Sequence, residues 1–273
     1  MTAHDDRPIG VFDSGIGGIT VLKALRDRLP TEDLVYLGDT ARLPYGTKSA
    51  KTVQAYALQA TRELIRRDVK MIVIACNTAS AVAAGSLSEA LAPVPVVGVV
   101  EPGAQAGAAA SQSGRIAVIA TESTVKGNAY ARAIQAVRPE ADVVQQPCTL
   151  FVALAEEGWT DGEVATGAAK RYLEPLFDSD PHPDTLVLGC THFPVLAGTI
   201  AGVLGPGIRL VDSAQTTAEA VSKVLGERSL ATGNKAVGKT TFLATDSAER
   251  FARVGGIFFG SPIEPHEVEL VDI

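Results

Sequence analysis

Short runs of apolar residues alternate with longer segments of helical period along most of the chain. The runs are rich in Val, Ile and Leu without polar alternation, which is typical of parallel strands buried on both faces. The predicted strands are Ile9–Phe12, Leu34–Leu37, Met71–Ala75, Val94–Val99, Arg115–Ala120, Asp142–Gln145, Thr185–Gly189, Ile208–Val211 and Thr241–Ala244. Helix candidates include Thr20–Arg28, Ala50–Arg67, Val125–Ala136, Asp161–Phe177 and Ala214–Leu225. This alternation predicts an α/β fold, doubly wound and flavodoxin-like, with mainly parallel sheets.

A weak internal repeat divides this pattern into two similar halves. Ile9–Ser14 resembles Ile116–Thr121, and each is followed further along by a strand that ends in a cysteine. The crossover is expected near Gly98–Gly103. The chain after the second half is too short for a typical domain, so we expect it to pack back on the first half. The prediction is two pseudo-symmetric domains, residues 1–98 with 212–273 and residues 99–211.

Two of the three cysteines occupy equivalent points of these halves. Met71–Thr78 and Thr185–His192 each read as a buried strand that ends in a cysteine followed by small polar residues. We expect Cys76 and Cys190 to face each other across a cleft, which puts the active site at the domain interface. Ligands of open α/β sheets bind outside the carboxyl ends of the strands. Polar clusters predicted at such ends are Asp13-Ser14, Pro44-Tyr45-Gly46, Cys76-Asn77-Thr78, Thr121 and Cys190-Thr191-His192.

The two thiols are candidate acid/base groups. Cys76 and Cys190 each precede a helix-type segment, and a helix N-terminus is expected to lower a thiol pKa toward neutrality. A base on one face of a carbon and an acid on the other invert that carbon by proton transfer. Asp13 and His192 are expected to tune or relay protons, although Asp13 as a helix cap and His192 as a structural histidine stay open. Cys148 lacks such a setting and is interpreted as a small hydrophobe.

The sequence motifs that would indicate a cofactor or a metal are incomplete or lie in the wrong structural context. Gly233–Thr240 matches the P-loop pattern, but a strand-like segment follows it, which favours a flexible loop. Asp13–Gly18 follows a strand and opens a helix, so its amides are expected to approach a carboxylate or small anion, not a dinucleotide. The pair Cys190 and His192 lacks the further spacing of a zinc site. None of the five polar clusters contains a lysine that could form a Schiff base with pyridoxal phosphate. From these motifs we expect neither a cofactor nor a metal.

Composition and charge indicate the partners and the cellular location to expect. The chain has 273 residues, of which 46% are hydrophobic and 20% charged, as in globular proteins. The net charge of −7 argues against a nucleic-acid partner, and the densest basic stretch, Arg62, Arg66, Arg67 and Lys70, is interpreted as a solvated helix face. Met1–Pro8 lacks the features of a signal peptide, and no apolar run approaches the ~18 residues that cross a bilayer. Three unclustered cysteines indicate free thiols, so we predict a cytoplasmic protein that does not contact membranes.

Five motifs occur in a distinctive order along the chain. They are Phe-Asp-Ser-Gly-Ile-Gly-Gly (12–18), Gly-Asp-Thr-Ala-Arg-Leu-Pro-Tyr-Gly (38–46), Ala-Cys-Asn-Thr-Ala-Ser (75–80), Val-Glu-Pro-Gly (100–103) and Leu-Gly-Cys-Thr-His-Phe-Pro (188–194). Through these motifs the chain resembles, over nearly its whole length, the glutamate racemases of bacterial cell-wall synthesis.

The resemblance implies a cofactor-independent interconversion of L- and D-glutamate that supplies D-glutamate for peptidoglycan. It implies that Cys76 deprotonates the D-isomer and Cys190 the L-isomer, assisted by Asp13 and His192 and by a glutamate of Ala155–Gly158. A homodimer is also implied. The implied substrate contacts are Asp13, Ser14, Pro44, Tyr45, Gly46, Asn77, Thr78, Thr121, Thr191 and His192.

Other functions stay open at this point. A racemase for another amino acid, such as aspartate, would use the same chemistry. A hydrolase with a cysteine nucleophile needs one thiol and an oriented base, whereas this chain has two equivalent thiols. A non-catalytic regulatory protein is the third alternative. A side role toward DNA gyrase, ascribed to some relatives, is undecided by the sequence.

Overall fold

The structure is a computed structural model that describes residues 4–178 and 180–273. The chain forms two compact units, one that runs up to Val99 and resumes at Ala214–Ile273, and one that comprises Val100–Ser213. The expectation about Met1–Pro8 falls in part on residues 1–3, which lie outside the described residues. Within the described ranges, no helix is both long and apolar enough to cross a membrane.

Every predicted strand overlaps a strand of the structure, which confirms the α/β prediction. The strands are β1 Ile9–Asp13, β2 Leu34–Gly38, β3 Met71–Ile74, β4 Val96–Gly98, β5 Arg115–Ala120, β6 Asp142–Pro147, β7 Thr185–Gly189, β8 Arg209–Asp212, β9 Thr240–Ala244 and β10 Val268–Leu270. The α-helices are α1 Ile19–Arg28, α2 Ala50–Arg66, α3 Asn77–Ala90, α4 Val100–Ala110, α5 Glu122–Lys126, α6 Ala129–Val137, α7 Leu150–Glu156, α8 Gly162–Phe177, α9 Ala197–Leu204, α10 Ser213–Glu227 and α11 Ala248–Phe259. Short 3₁₀ helices cover Tyr45–Thr47, Phe193–Leu196 and Pro265–Glu267.

In the first unit, parallel strands lie in the order β10-β9-β2-β1-β3-β4. Phe12, Leu37 and Ile74 point to one face of this sheet and share a buried cluster with α2 and α3. Tyr36 points to the other face and contacts the ring of Phe251 on α11, which packs on α1. Burial on both faces explains why the strands read as unbroken apolar runs.

The second unit repeats the topology of the first. Its parallel strands lie in the order β6-β5-β7-β8. Counted along the chain within each unit, β1–β4 and β5–β8 both follow the flavodoxin-like order 2-1-3-4. The strand order reverses between β1 and β3 in one unit and between β5 and β7 in the other. Folds of this type bind their ligands at such a reversal, outside the carboxyl ends of the two strands.

Two elements differ from the predicted ones. The predicted helix Val125–Ala136 is two helices, α5 and α6, because Asn128 adopts a left-handed φ of 51° directly after Gly127. Asparagine tolerates this conformation, which a helix cannot continue through. The strand β10 was not predicted, since it has three residues of which only Val268 is buried. So short an edge strand carries no readable periodicity.

The basic stretch is not a continuous solvated helix face. Arg62 and Arg66 are exposed on α2, as predicted, but the helix ends at Arg66. Lys70 lies beyond it with a fully buried side chain, and its Nζ is 2.5 Å from Oε2 of Glu32, which is also buried. The prediction is therefore wrong for Lys70, whose charge is directed into the protein toward a carboxylate.

The segment that matches a P-loop is a loop followed by a strand, as predicted. No helix follows Gly233–Thr240 directly, because Thr240 begins β9. Hydrogen bonds tie the loop to the turn before β2, where Gly238 N–H donates to Pro30 O at 2.9 Å and Lys239 N–H donates to Asp33 Oδ1 at 2.6 Å. The strand-loop-helix geometry that holds nucleotide phosphates is absent here.

Asp184 joins the turn after α4 to the start of β7, and we expect its removal to destabilise the second unit. Its carboxylate accepts hydrogen bonds from Ser111 Oγ at 2.6 Å and from the amides of Gln112 and Ser113 at 2.8 and 2.7 Å. Burial alone would raise the pKa of Asp184, but hydrogen bonds from Ser111, Ser113 and Thr185 hold it well below its usual range. Asp184→Asn should therefore lower the free energy of unfolding at pH 7 by about 1–2 kcal/mol.

The pH dependence of that loss follows from the sign of the shift. A carboxyl group whose pKa is lowered by folding stabilises the protein above about pH 3.9, the unfolded value, and this stabilisation is lost as the pH falls further. The difference between wild type and Asp184→Asn in urea unfolding should thus shrink in acid. Asp161→Asn is the matched control, because Asp161 precedes α8 without a side-chain capping bond. Equal stability of wild type and Asp184→Asn at pH 7 would contradict the assignment.

Candidate active site

Asp13 and Cys76 follow the two strands that flank the reversal of strand order in the first unit. Asp13 ends β1, and Cys76 follows β3 as the residue before α3. The Cys76 thiol donates to Ser14 Oγ at 3.4 Å, and Ser14 Oγ donates to Asp13 Oδ1 at 3.4 Å. Asp13 is 1% exposed. A chain of hydrogen bonds thus connects a buried thiol to a buried carboxylate, and protons can move along such a chain.

The glycine-rich turn after β1 serves Asp13. The Gly18 amide, expected to face an external anion, donates instead to Asp13 Oδ2 at 2.9 Å. A side chain at position 18 would not fit, because its Cβ would lie 2.6 Å from Asp13 Cβ and 2.7 Å from the Ala75 carbonyl oxygen. The glycine therefore lets the Asp13 carboxylate lie at the start of α1, where the helix dipole favours a negative charge.

The electrostatic expectation for Cys76 is wrong in direction. Cys76 does precede α3, and Ala79 N–H approaches its Sγ at 3.5 Å. Burial and the nearby negative charge of Asp13 nevertheless raise the pKa of Cys76 to about 12, against the smaller lowering by hydrogen bonds from Ser14 and Ala79. Desolvation of the thiolate thus outweighs the helix N-terminus. At neutral pH Cys76 is a thiol, which is the acid form.

This pKa can be measured directly. In protein with Cys148→Ser and Cys190→Ser, Cys76 is the one remaining cysteine, and the NMR shift of its isotopically labelled Cβ reports thiol or thiolate. We expect no titration near pH 8.5, the ordinary value for cysteine. Asp13→Asn in the same background should lower the Cys76 pKa, because one of the two causes of its elevation is removed. If Cys76 titrated at or below about pH 8.5 in the protein that retains Asp13, its pKa would not be raised by the fold.

The segment Pro44-Tyr45-Gly46 lies between β2 and α2. Tyr45 is 1% exposed, and its hydroxyl donates to the carboxylate of Asp39, which is fully buried. Burial and the charge of Asp39 raise the pKa of Tyr45, so the phenol stays protonated. Because that hydroxyl is committed inside the unit, the remaining polar groups of Tyr45 are those of its backbone. Pro44 is exposed and Gly46 half-buried beside it.

Asn77 and Thr78 are the first residues of α3, directly after Cys76, and each is 3% exposed. Their position follows from the abrupt change from β3 to helix at the thiol. Backbone amides in the first turn of a helix lack intrahelical partners and favour anions. The structure therefore groups Asp13, Ser14, Cys76, Asn77 and Thr78 at one reversal of strand order.

Cys190 occupies the corresponding place in the second unit. It follows β7, is 5% exposed, and its Sγ lies 3.8 Å from Nδ1 of His192. Nε2 of His192 lies 3.1 Å from Oε1 of Glu156, the last residue of α7. The result is a thiol, an imidazole and a carboxylate in series. Of the two glutamates that the sequence offered, Glu156 is the one that reaches His192.

Thr121 and Thr191 complete this group. Thr121 follows β5 and is half-buried, with Oγ1 3.1 Å from Thr124 Oγ1. The parallel register pairs Ala120 with Gly189, the last residues of β5 and β7. Thr121 and Cys190, which follow them, therefore leave the sheet side by side. Thr191 is 3% exposed. Each unit thus carries one cysteine with polar neighbours at its own reversal of strand order.

Cys148 has a setting that the sequence pattern missed. The strand β6 continues to Pro147, two residues beyond the predicted end, so Cys148 directly follows a strand and lies shortly before α7. It is fully buried, and burial together with the charge of Cys190 raises its pKa. Its Sγ lies 3.7 Å from the Gln146 carbonyl oxygen. Within the described part of the chain, no carboxylate or imidazole is hydrogen-bonded to Cys148, directly or through a hydroxyl, in contrast to the other two thiols.

Comparison with known proteins decides the family. The model of the Asp/Glu/Hydantoin racemase family matches residues 19–221, which is more than half of the chain. The chain belongs to the Asp/Glu/hydantoin racemase family. A relative in this family, the glutamate racemase of Geobacter metallireducens, is 49% identical over 257 residues, which cover 94% of each chain.

Solved structures of the Asp/Glu/hydantoin racemase family show the same fold. The glutamate racemase of Francisella tularensis, solved in complex with D-glutamate, aligns with a TM-score of 0.90 at 39% identity over 98% of each chain. A glutamate racemase isoform of Bacillus anthracis aligns with a TM-score of 0.93 at 35% identity over 99% of each chain. The topology described above is therefore that of the family.

Proposed function

We propose that this protein is a glutamate racemase, an isomerase that interconverts L- and D-glutamate without a cofactor. Its family and its relatives named glutamate racemase support this function. The observation that carries the chemistry is the pair of buried cysteines, each at the reversal of strand order of its own unit. Each has a separate acid/base neighbourhood, Ser14 and Asp13 for Cys76 and His192 and Glu156 for Cys190.

The proposed reaction moves one proton on each face of the α-carbon. With L-glutamate, the Cys190 thiolate removes the α-proton and the Cys76 thiol donates its proton to the opposite face, which yields D-glutamate. Cys190 is then a thiol and Cys76 a thiolate, so protons balance. With D-glutamate the two cysteines exchange roles. The elevated pKa of Cys76 suits the first direction, because it holds this thiol in the acid form until the carbanion forms.

The neighbours of each thiol supply and remove its proton between turnovers. For the reaction of D-glutamate, transfer of the Cys76 proton through Ser14 to Asp13 forms the thiolate and moves one negative charge without adding a second, so the repulsion that disfavours the Cys76 thiolate is avoided. On the other side, His192 accepts a proton from Cys190, and Glu156 orients the imidazole and stabilises its charged form. Neither thiol needs direct contact with bulk water for this exchange.

The polar groups beside the thiols suit a substrate with two carboxylates. Asn77, Thr78 and Thr191 offer neutral donors, and the start of α3 adds backbone amides. Neutral donors hold an anion while leaving the charge balance of the thiols unchanged. The substrate contacts proposed for this chain are Asp13, Ser14, Pro44, Tyr45, Gly46, Asn77, Thr78, Thr121, Thr191 and His192.

Turnover assays test the substrate assignment. Purified protein without added cofactor is incubated with L-glutamate, D-glutamate and L-aspartate in turn, and optical rotation is followed. We expect both glutamate enantiomers to reach the racemic mixture and aspartate to react much more slowly. Faster turnover of aspartate would replace the assignment by aspartate racemase, and no racemisation of either amino acid would favour a non-catalytic role.

We also propose the cellular setting. D-glutamate made by this protein would enter peptidoglycan synthesis in the cytoplasm, and the free state of all three cysteines suits a reducing compartment. A homodimer is proposed from the resemblance to glutamate racemases. Sedimentation equilibrium of the purified protein at twice the mass of the 28.3 kDa chain would support the dimer, and a monomer mass would contradict it.

A further inference from the structure

A buried carboxylate lies beneath the Pro44-Tyr45-Gly46 segment. Asp39 is fully buried, and it accepts hydrogen bonds from the Tyr45 hydroxyl and, at 3.0 Å, from Thr245 Oγ1. Arg42 Nε donates to Asp39 Oδ2 at 2.7 Å. Among the ion pairs of the described residues, Arg42 is the one cation that Asp39 contacts. A buried carboxylate without such a cation is costly, so the Arg42 guanidinium stabilises the Asp39 side chain in its buried position.

Two side chains of α2 hold the Arg42 guanidinium in place. Its Cζ lies 4.2 Å from the centre of the Tyr56 ring, and its Nη1 donates to Gln59 Oε1 at 2.5 Å. The Tyr56 ring also packs 5.5 Å from the ring of Tyr45. Stacking on an aromatic ring together with directed hydrogen bonds uses the planar shape of arginine, which lysine lacks.

We propose that Arg42 is a positioning residue for the substrate. It compensates the charge of Asp39, which then anchors Tyr45 and so fixes the backbone of Gly46 where glutamate binds. Arg42 does not touch the reacting atoms and acts through Asp39 and Tyr45. This inference rests on the proposed function, because that function assigns the segment Pro44-Tyr45-Gly46 to substrate binding.

The charge of Arg42 and its shape can be separated by substitution. Arg42→Gln removes the charge and leaves Asp39 uncompensated, whereas Arg42→Lys keeps the charge and loses the planar stack. A binding group that is held equally in the ground state and the transition state affects KM more than kcat. We expect Arg42→Gln to raise the KM for glutamate about tenfold or more, with a smaller fall in kcat, and Arg42→Lys to recover part of that loss.

Controls distinguish positioning from a loss of folded protein. Partial unfolding lowers the apparent kcat but leaves the KM of the folded fraction unchanged, so KM is the deciding readout. Arg62→Gln is the matched control, because Arg62 is exposed on α2 and loses the same charge. We expect the KM of this variant to equal that of wild type.

A double-mutant cycle tests the route through Asp39. If Arg42 acts by compensating the carboxylate, Arg42→Gln should change KM much less in an Asp39→Asn background than in wild type. The inference would be overturned if Arg42→Gln changed KM equally in both backgrounds or left KM at the wild-type value. In either case, racemisation of glutamate by the wild type would leave the proposed function intact. Absence of glutamate racemisation in wild type would overturn the proposed function itself.

Discussion

Cys76→Ser and Cys190→Ser should each lower kcat/KM for glutamate racemisation by about a thousandfold or more. A serine hydroxyl is a far weaker acid than a thiol, and its alkoxide is not accessible near neutral pH, so neither half of the proton exchange can proceed on the altered side. General acid/base groups typically contribute 10²–10⁴-fold, about the effect expected here. Polarimetry of L- and D-glutamate in separate reactions measures the loss.

The third cysteine supplies the control for this experiment. Cys148→Ser makes the same substitution at a buried thiol that also follows a strand of the second unit but, among the described residues, has no carboxylate or imidazole hydrogen-bonded to it. We expect it to retain most of the racemase activity of wild type. The two-base mechanism would be contradicted if Cys76→Ser or Cys190→Ser kept full activity and Cys148→Ser were no more active than that variant.

Lys70→Met should destabilise the first unit by about 3–5 kcal/mol, the usual cost of breaking a buried ion pair from one side. Lys70 Nζ donates to Glu32 Oε2 at 2.5 Å and to the Asp5 carbonyl at 2.6 Å, and Glu32 Oε1 accepts from Thr232 N–H at 2.8 Å. The substitution leaves the Glu32 carboxylate buried without its cation. Urea unfolding of wild type and variant at neutral pH measures the difference.

The double variant Lys70→Met with Glu32→Gln separates the charge from the packing. Glutamine keeps an oxygen that can accept from Thr232 N–H and carries no charge. Replacing both charges of a buried pair is often close to neutral, so we expect the double variant to recover most of the lost stability. A single variant within about 1 kcal/mol of wild type would contradict the importance of the pair.

The sequence predicted the sheets well because parallel strands bury both faces. The apolar runs that contain Phe12 and Leu37 pack under α2 and α3, and this two-sided burial leaves a pattern that needs no three-dimensional information. The short strand β10 and the turn at Gly127-Asn128 were missed for opposite reasons. The first has too few residues to show a period, and the second carries a turn signal that the apolar helical pattern on either side outweighed.

The sequence predicted which residues form the candidate site better than it predicted their pKa values and contacts. Cys76 and Cys190 follow the strands expected for them, since both come directly after apolar runs. The pKa of Cys76 was not predictable, because it depends on burial and on Asp13, which only the fold brings close. Glu156 reaches His192 from 36 residues away in the chain, and no local pattern indicates which of two adjacent glutamates does so.

Solvent exchange tests the central claim most directly. The protein is incubated with L-glutamate or D-glutamate in deuterated water without added cofactor, and deuterium at the α-carbon of each enantiomer is followed by mass spectrometry and NMR at early times. Because the thiol that donates to the product carries a solvent-derived proton, we expect deuterium to enter the product enantiomer first, in both directions. Racemisation without deuterium at the α-carbon of the product would contradict proton transfer by two solvent-exchangeable cysteines.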